Sequence, residues 1–480
     1  MLLSSCRPPG VRAVAAKSSG LVKAVANCWH AVRPARLSAG LGRDGTEGRD
    51  QTLLYFGGLT LLLSLATPAG YLLDIQTSYL LKNQLHATAT QIAMFRLVTG
   101  IPVYLAFAFG LARDQWNPLG LRDRGFFLIF APATALAFIW MALSGVSYSG
   151  LVVGMLLAML SSRFVAAAYQ GLIALVGQEQ HMSGRLSALL NIVGSVPVVA
   201  GAFASGYVSD HLGPKEAFFL AAVFALLIAV SGLWKPVSVF GHLYETPQAR
   251  GTDFVGNVRR LVRHRAVYPA VLICFLWNFA PGAATPLQFY LTNELHASDS
   301  VYSYYNGIFA AAFIPTFLLY GVLCKRVSLS KLLWWGTIVA VPQMIPLAFI
   351  HSANLALVLA APIGLMGGVA TAAYFDLAMR SCPPGLQGTL MMLVDGVLAL
   401  SARAGDLLGA RIYNSSPAHG FTYCVIATTV VYALILALIP LAPKMLIATK
   451  DGEPNPEIEA EVANKTGETA PNLTGQDPAM

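Results

Sequence analysis

The sequence predicts an all-α membrane protein in which twelve transmembrane helices form two pseudo-symmetric six-helix bundles. Composition is the first reason, because 56% of the 480 residues are hydrophobic, 11% are charged and the mean hydropathy is +0.62. Soluble domains carry about 25% charged residues, and an ordinary core cannot bury this much apolar surface. The second reason is a series of regularly spaced apolar runs, and the third is a repeat placed alike in both halves.

The repeat is short but occupies the same place in each half. Leu81-Lys-Asn-Gln-Leu-His-Ala87 returns 210 residues later as Leu291-Thr-Asn-Glu-Leu-His-Ala297, with five of seven positions identical. Each copy follows one apolar run and precedes another. The repeat therefore indicates a duplicated membrane unit.

Each apolar run is close to the roughly 20 residues with which a helix crosses the hydrocarbon layer. Helices are expected because backbone amides in lipid need partners within their own segment, and barrel-type alternation is missing. The predicted spans are 53–75, 89–111, 126–145, 149–176, 186–208, 216–234, 267–291, 302–323, 331–350, 354–379, 387–411 and 419–443.

The loops divide the chain and orient it. Basic residues gather in the loops after even-numbered spans, so the positive-inside rule predicts both termini in the cytoplasm. This topology also accounts for the formal charge of +8 without invoking nucleic acid. The predicted domains are a basic amino-terminal segment (1–50), a first bundle (51–234), a cytoplasmic linker (235–266), a second bundle (267–447) and a disordered acidic tail (448–480).

The amino-terminal segment leaves the choice of membrane open. Residues 1–43 contain seven Lys or Arg and no Asp or Glu, in a basic amphipathic pattern. A cleaved organelle transit peptide, a helix on an anionic membrane surface and a poorly ordered tail all fit this pattern. The cell membrane is favoured for this multi-pass protein, with an organelle envelope as the alternative.

The loop between spans two and three carries a motif. It holds Gly110-Leu-Ala-Arg-Asp114 and then Arg122-Asp123-Arg124. A glycine, a following aspartate and a basic pair resemble the cytoplasmic signature of the major facilitator superfamily, whereas the alternative is an ordinary charged loop. The resemblance implies two bundles that rock about a central site, with Gly110, Asp114, Arg122 and Arg124 as gating residues.

The second half has a partial counterpart of this motif. Gly321-Val-Leu-Cys-Lys325-Arg326 keeps the glycine and the basic residues and lacks the aspartate.

A narrower resemblance lies in two patches. Tyr79-Leu-Leu-Lys82, Pro102, the 110–124 loop and Pro383-Pro-Gly-Leu-Gln-Gly-Thr389 look like the layout of the folate-biopterin transporter family. The muropeptide permease family shares much of it. The chain departs from the folate-biopterin pattern, since Arg113 replaces a serine, Asp123 splits the basic pair and Gln387 replaces a glutamate.

Polar residues within spans are the candidate site, because placing them in hydrocarbon is costly. Arg163 lies near the middle of span four, with Tyr169 and Gln170 following it. Span four lines the central cavity in the superfamily, so Arg163 is the first candidate substrate contact, with a structural ion pair as the alternative. Asn278 in span seven completes the predicted substrate-binding set.

Span eleven carries three charged residues on one face, Asp395, Arg403 and Asp406. All three are candidates for proton coupling or an ion pair, and Asp395 is the first proton-coupling candidate. For Arg403 and Asp406, which are three residues apart, the alternative is that they simply neutralise each other. Asp376 in span ten belongs to the same proton-coupling or ion-pair set, with a structural or gating role as its alternative. Asp74 and Arg96 are predicted to pair as an external gate.

The sequence therefore predicts a secondary active transporter for a small organic solute. Folate- or pterin-like compounds are the first candidates, and proton coupling is left open. A muropeptide or other organic-anion permease is the alternative, and a non-transporting receptor is a remote one.

Enzyme motifs are missing from the sequence, so neither catalysis nor a cofactor nor a metal is predicted. The expected partners are the substrate, the lipid bilayer and, under the coupled interpretation, protons. Nucleic acid is not expected, and the chain is expected to act as a monomer.

Overall fold

The structure, a computed structural model, describes residues 44–241, 254–416 and 419–453, apart from 69, 71, 72, 75, 78, 79, 145 and 146. Throughout these described residues the chain forms helices, turns and loops and contains no strand. The all-α membrane fold predicted from the sequence is confirmed. Most of the amino-terminal amphipathic segment and the tail beyond 453 lie outside the described residues.

The described part of the first half contains eight α-helices, of which the last is short. They are α1 (Asp44–Ala66), α2 (Ala89–Tyr104), α3 (Ala106–Gln115), α4 (Asp123–Leu143), α5 (Tyr148–Glu179), α6 (Ser183–His211), α7 (Pro214–Leu233) and α8 (Val237–Phe240).

The remaining helices run from the linker to the carboxyl-terminal segment. They are α9 (Phe254–Arg263), α10 (Val267–Asn278), α11 (Thr285–Phe289), α12 (Asp299–Leu323), α13 (Leu329–Ala340), α14 (Ala353–Arg380), α15 (Gln387–Ser415), α16 (Gly420–Leu438) and α17 (Lys444–Ala448). A 3₁₀ segment, Val341–Phe349, continues α13.

Nine helical segments of the described residues are long and apolar enough to cross a membrane. They match predicted spans two to six, eight to ten and twelve, generally within a few residues. The other three predicted spans are not among these nine. Helix α1 ends at Ala66, before the predicted end of span one, and span seven is interrupted. Span eleven carries Asp395, Arg403, Asp406 and Arg411 along α15.

Span seven is broken in its middle, and its neighbours satisfy the freed backbone. Helix α10 ends at Asn278 and α11 begins at Thr285, with Pro281 and Gly282 between them. The amide of Gly282 donates to Thr428 Oγ1 (2.9 Å), and the amide of Thr285 donates to Asp406 Oδ1 (2.8 Å). Non-helical backbone is tolerated at this depth where protein groups provide its hydrogen bonds.

The two copies of the repeat adopt the same backbone. Leu80–Gln84 and Tyr290–Glu294 each form a single π-helical turn. His86 and His296 follow with positive φ angles of 48° and 51°. The next amides close equivalent hydrogen bonds, from Ala87 to Leu81 (2.8 Å) and from Ala297 to Leu291 (2.9 Å). The short sequence match thus marks a shared structural unit.

The halves meet along two seams. Helix α15 packs mainly against α3 and α5, and α6 packs along α12 and α14. The division into bundles 51–234 and 267–447 stays a prediction.

The carboxyl-terminal segment differs from the expected disorder after 448, because Asp451 is 7% exposed and accepts hydrogen bonds from residues 184 and 185.

We expect Gly409→Ala to destabilise the fold, because a methyl group there would overlap the carbonyl oxygen of Pro281 at the break in span seven. Overpacking of this kind costs about 1–3 kcal/mol. Gly58→Ala in α1 is the control, since no atom lies within 4 Å of its added methyl group. Thermal unfolding in detergent measures both, and equal midpoints would contradict the tight contact.

Candidate functional site

The centre of the molecule holds an ion pair between two distant helices. Arg163 of α5 donates from Nη1 to Asp395 Oδ2 of α15 at 2.9 Å. The Arg163 side chain is 12% exposed and that of Asp395 is 36% exposed. The structure thus brings together the predicted substrate contact and the predicted coupling residue, across the seam between the halves.

A cavity of about 200 Å³ lies beside this pair. Helices of the first half form its wall, and Asp395 closes it from α15. Within it Arg163 Nε and Gln170 Oε1 are buried and have no hydrogen-bond partner among the described residues. An unpaired buried donor and acceptor are costly, and a ligand that supplies both partners relieves that cost.

The other two predicted substrate residues are engaged with protein. The Tyr169 hydroxyl lines the cavity but is hydrogen bonded to Thr60 Oγ1 at 2.5 Å. Asn278 does not line this cavity, and its Nδ2 donates to the carbonyl oxygen of Leu398 at 3.1 Å. Asn278 therefore braces the broken span seven against α15.

Helix α15 does not contain the neutralising pair that was the alternative for Arg403 and Asp406. Asp406 instead accepts from the amide and the hydroxyl of Thr285, at 2.8 and 2.9 Å. Arg403 has an exposed side chain and forms no ion pair among the described residues. The interruption of span seven explains the difference, because it presents a free amide to Asp406.

Asp376 forms an ion pair on its own helix. It is fully buried and accepts hydrogen bonds from Arg380 Nε (2.8 Å) and from the Tyr320 hydroxyl (2.8 Å). Arg380 follows it by four residues, about one turn, on the same helix. Asp376 is thus one member of a buried ion pair.

The signature loop reaches the other half of the chain through Asp114. Its carboxylate accepts from the amides of Gly388 (3.1 Å) and Thr389 (2.7 Å) and from the Thr389 hydroxyl (2.6 Å). These amides are free because they open α15, and a helix amino terminus favours a negative charge. We call the end of the bundle where these contacts lie the signature end.

Arg113, which the predicted site left out, holds Asp114 and is itself bound by Asp123, which was also left out. Arg113 donates from Nη1 to Asp114 Oδ1 (2.8 Å) and from Nη2 to Asp123 Oδ2 (2.7 Å). All three side chains are nearly buried. Arg113 and Asp123 both stand where the chain departs from the family pattern, and their opposite charges were the signal that they pair.

Gly110 permits the close approach at this end. A methyl group at Gly110 would overlap the carbonyl oxygen of Gly388, and one at Gly388 would lie 2.7 Å from Asp114 Oδ1. The two glycines therefore let α3 and the start of α15 touch through their backbones.

The basic residues of the signature have local roles. Arg124 donates to the carbonyl oxygens of Gly232 (2.8 Å) and Leu233 (3.3 Å) at the end of α7. Arg122 has a φ of 50°, and its amide donates to Asn117 Oδ1 at 2.6 Å. These contacts shape the loop within the first half.

The predicted external gate is a loose pair. Arg96 Nη2 lies 3.9 Å from Asp74 Oδ1, and both side chains are more than half exposed. Exposed pairs of this kind contribute about 0–1 kcal/mol. Both residues belong to the first half, so this contact does not join the halves.

The sequence profile of the Major Facilitator Superfamily matches residues 53–405. The chain belongs to this superfamily. The folate-biopterin transporter of Synechocystis sp. is 22% identical over 402 residues, which cover 81% of this chain and 80% of the relative. The multidrug resistance protein MdtG of Salmonella choleraesuis is 22% identical over 347 residues, covering 70% of this chain and 83% of the relative.

Solved transporters of the superfamily share the fold. The crystal structure of FucP in the outward conformation has a TM-score of 0.60 at 15% identity and covers 82% of this chain and 98% of that one. The human organic anion transporter MFSD10 has a TM-score of 0.56 at 15% identity, covering 81% of this chain and 98% of that one.

We expect Asp114→Asn to loosen the signature end of this superfamily member and to slow transport. The amide side chain keeps one acceptor and loses the charge that Arg113 and the amino terminus of α15 favour. Buried Cys382 lies at this end, close to the carbonyl oxygen of Gln387 at the start of α15, and its labelling by a thiol reagent, read by peptide mass spectrometry, should accelerate.

Glu216→Gln, which removes a carboxylate from an exposed position at the start of α7, is the matched control for that variant. Equal labelling and transport in Asp114→Asn and Glu216→Gln would reduce the motif to an ordinary charged loop.

Proposed function

We propose that this protein is a secondary transporter that moves a small organic solute across a membrane by alternating access, with Asp395 as its proton-coupling residue. One observation carries the proposal: the ion pair of Arg163 and Asp395 spans the seam beside a cavity. Binding there changes a contact between the halves, and alternating access needs such a link.

The class of substrate follows from competition between the substrate and Asp395 for the Arg163 guanidinium. An anionic or planar ligand in the cavity meets a guanidinium with a free Nε and an Nη1 held by Asp395. Guanidinium groups bind carboxylates and flat heterocycles through paired hydrogen bonds. Protonation of Asp395 cancels the charge that holds Arg163 and leaves the guanidinium to the substrate, so proton and substrate binding favour each other.

Folate- or pterin-like compounds are the leading substrates. Arg163 Nε offers a donor and Gln170 Oε1 an acceptor, and the edge of a pterin ring presents neighbouring acceptor and donor groups. The likeness to the folate-biopterin transporter of Synechocystis sp. supports this class.

A muropeptide or other organic-anion permease is the second candidate. The same Arg163 would serve a simple carboxylate, and the likeness to MdtG favours a broader range of substrates. Uptake into liposomes, screened across these compound classes with and without a proton gradient, separates the two candidates. A receptor would bind its ligand without uptake.

The proposed topology places both termini and the signature end in the cytoplasm, with the cell membrane favoured over an organelle envelope. Val255→Cys in α9 should then react with an impermeant thiol reagent only from inside, and Ser415→Cys at the end of α15 only from outside. Both positions are exposed. External labelling at 255 would overturn this orientation.

We expect Arg163→Lys to weaken substrate binding about tenfold, or about 1.4 kcal/mol, because lysine keeps the charge and loses the planar pair of donors. Asp395→Asn should abolish accumulation driven by a proton gradient and spare exchange of substrate across the membrane. Binding and exchange measured on purified protein in liposomes test both, with Arg265→Lys, an exposed linker position, as the control.

The structural alternative predicts a different pattern. If the ion pair only holds the fold, Arg163→Lys binds substrate normally, whereas Arg163→Ala lowers the unfolding temperature by leaving Asp395 unpaired. Normal affinity in Arg163→Lys together with intact gradient-driven uptake in Asp395→Asn would remove both residues from the mechanism.

A further inference from the structure

The second half of the chain lacks the signature aspartate, yet the helix that starts across its seam also needs an acceptor for its first backbone amides. Lys325 stands four residues after Gly321, where Asp114 stands after Gly110. Across the other seam, α6 opens with Ser183-Gly184-Arg185, as α15 opens with Gln387-Gly388-Thr389. The first amides of α6 therefore need an acceptor from elsewhere.

Asp451, from the carboxyl-terminal segment, supplies that acceptor. Its Oδ1 accepts from the amide of Gly184 at 2.9 Å, and its Oδ2 accepts from Arg185 Nε at 2.5 Å. Asp114 is bound in the same way, by the amide of Gly388 and by both the amide and the side chain of Thr389. The two carboxylates thus cap the corresponding helices of opposite halves.

The segment that carries Asp451 is held by the second half. The Asp451 amide donates to the carbonyl oxygen of Cys324 (3.0 Å) at the end of α12. Arg380 Nη1 of α14 donates to the carbonyl oxygen of Thr449 (2.9 Å) and to its hydroxyl (3.0 Å). Asp451 therefore joins α6 to α12 and α14.

The contact is tightly packed and buried. The Asp451 side chain is 0% exposed. A methyl group at Gly184 would lie 3.0 Å from Cys324 Cβ, 3.0 Å from Asp376 Oδ2 and 3.2 Å from Asp451 Oδ1. Separation of α6 from α12 at this end has to break the Asp451 contacts first.

The contact of Asp114 with the start of α15 is a first latch at the signature end. We propose that residues 449–452 form a second latch, in which Asp451 takes the place of the carboxylate missing at position 325 and holds this end closed. The latch rests on the alternating-access proposal, because only a transporter that opens at this end needs it. Asp451 is a positioning residue, since it lies outside the cavity and acts through α6.

The test uses the native cysteines as reporters. Cys324 lies beside Asp451, and Cys382 lies near the other seam, next to Gln178. Both are buried, as are Cys274 and Cys424 in α10 and α16. Peptide mass spectrometry reads the rate at which a thiol reagent labels each cysteine in the otherwise unchanged protein, without any substrate.

We expect Asp451→Asn to speed labelling of both Cys324 and Cys382 about tenfold, the factor that corresponds to about 1.4 kcal/mol. Labelling of Cys274 and Cys424 should stay at the wild-type rate, because the rest of the fold is intact. A chain that ends at Glu453 keeps the latch and should behave as wild type. A chain that ends at Thr449 should behave as Asp451→Asn.

A rescue experiment distinguishes the latch from simple packing. Lys325→Asp in the Asp451→Asn background restores a carboxylate at the position equivalent to Asp114 and should return both rates toward wild type. Lys325→Asn in the same background has no charge and should not.

Three results would overturn the proposal. Unchanged labelling in Asp451→Asn shows that the contact holds nothing closed. Faster labelling of Cys324 alone shows local fraying, and faster labelling of all four cysteines shows unfolding. The outcome does not depend on uptake, so failure of the transport proposal appears separately, as absence of flux in liposomes from a protein with normal labelling.

Discussion

Every backbone amide that a helix end or a helix break exposes inside this membrane protein needs a hydrogen-bond acceptor, and the architecture depends on meeting that need. Asp114 meets it at the start of α15, Asp451 at the start of α6, and Asp406 and Thr428 at the interruption of span seven. In three of these cases the acceptor is a carboxylate from another part of the chain. The buried carboxylates, which are costly to place in a membrane protein, are therefore also the groups that join separate helices.

Helix α15 connects the central site to the signature end. Thr389 in its first turn binds Asp114, and Asp395 binds Arg163 six residues later, which corresponds to about 9 Å along a helix. Asp406, further along, holds the broken span seven. Because α15 carries all three contacts, it cannot release Arg163 and move without also changing the hydrogen bonds that its first turn donates to Asp114. Under the proposed mechanism, substrate and proton binding at the centre reach the signature end by this route.

The two halves meet the same requirement with different residues. In the first half, Arg113 binds both the Asp114 carboxylate and Asp123, and its guanidinium lies against Gly171 of α5. In the second half, Cys324 occupies the position of Arg113, and the charges come from Asp376, Arg380 and the carboxyl-terminal segment. The backbone repeat at His86 and His296 is preserved, whereas the side-chain chemistry around it has diverged.

The sequence by itself determined the class, the spans and the main candidates. Apolar runs of membrane length leave helices as the solution, so nine of the twelve predicted spans lie close to apolar helices of the described residues. The cost of charge in hydrocarbon singled out Arg163 and Asp395 individually. The resemblance of the loop that holds Gly110 and Asp114 to the superfamily signature implied that these are gating residues.

Only the tertiary structure decided which of these groups are partners. Arg163 and Asp395 are 232 residues apart in the chain, and Asp451 and Gly184 are 267 apart. Local spacing suggested that Arg403 neutralises Asp406, yet the free amide of Thr285 binds Asp406 instead. Composition alone assigned the residues from 448 onward to a disordered tail, although Asp451 is buried. In each case the deciding factor is an unpaired donor or acceptor on a distant element, which no local pattern contains.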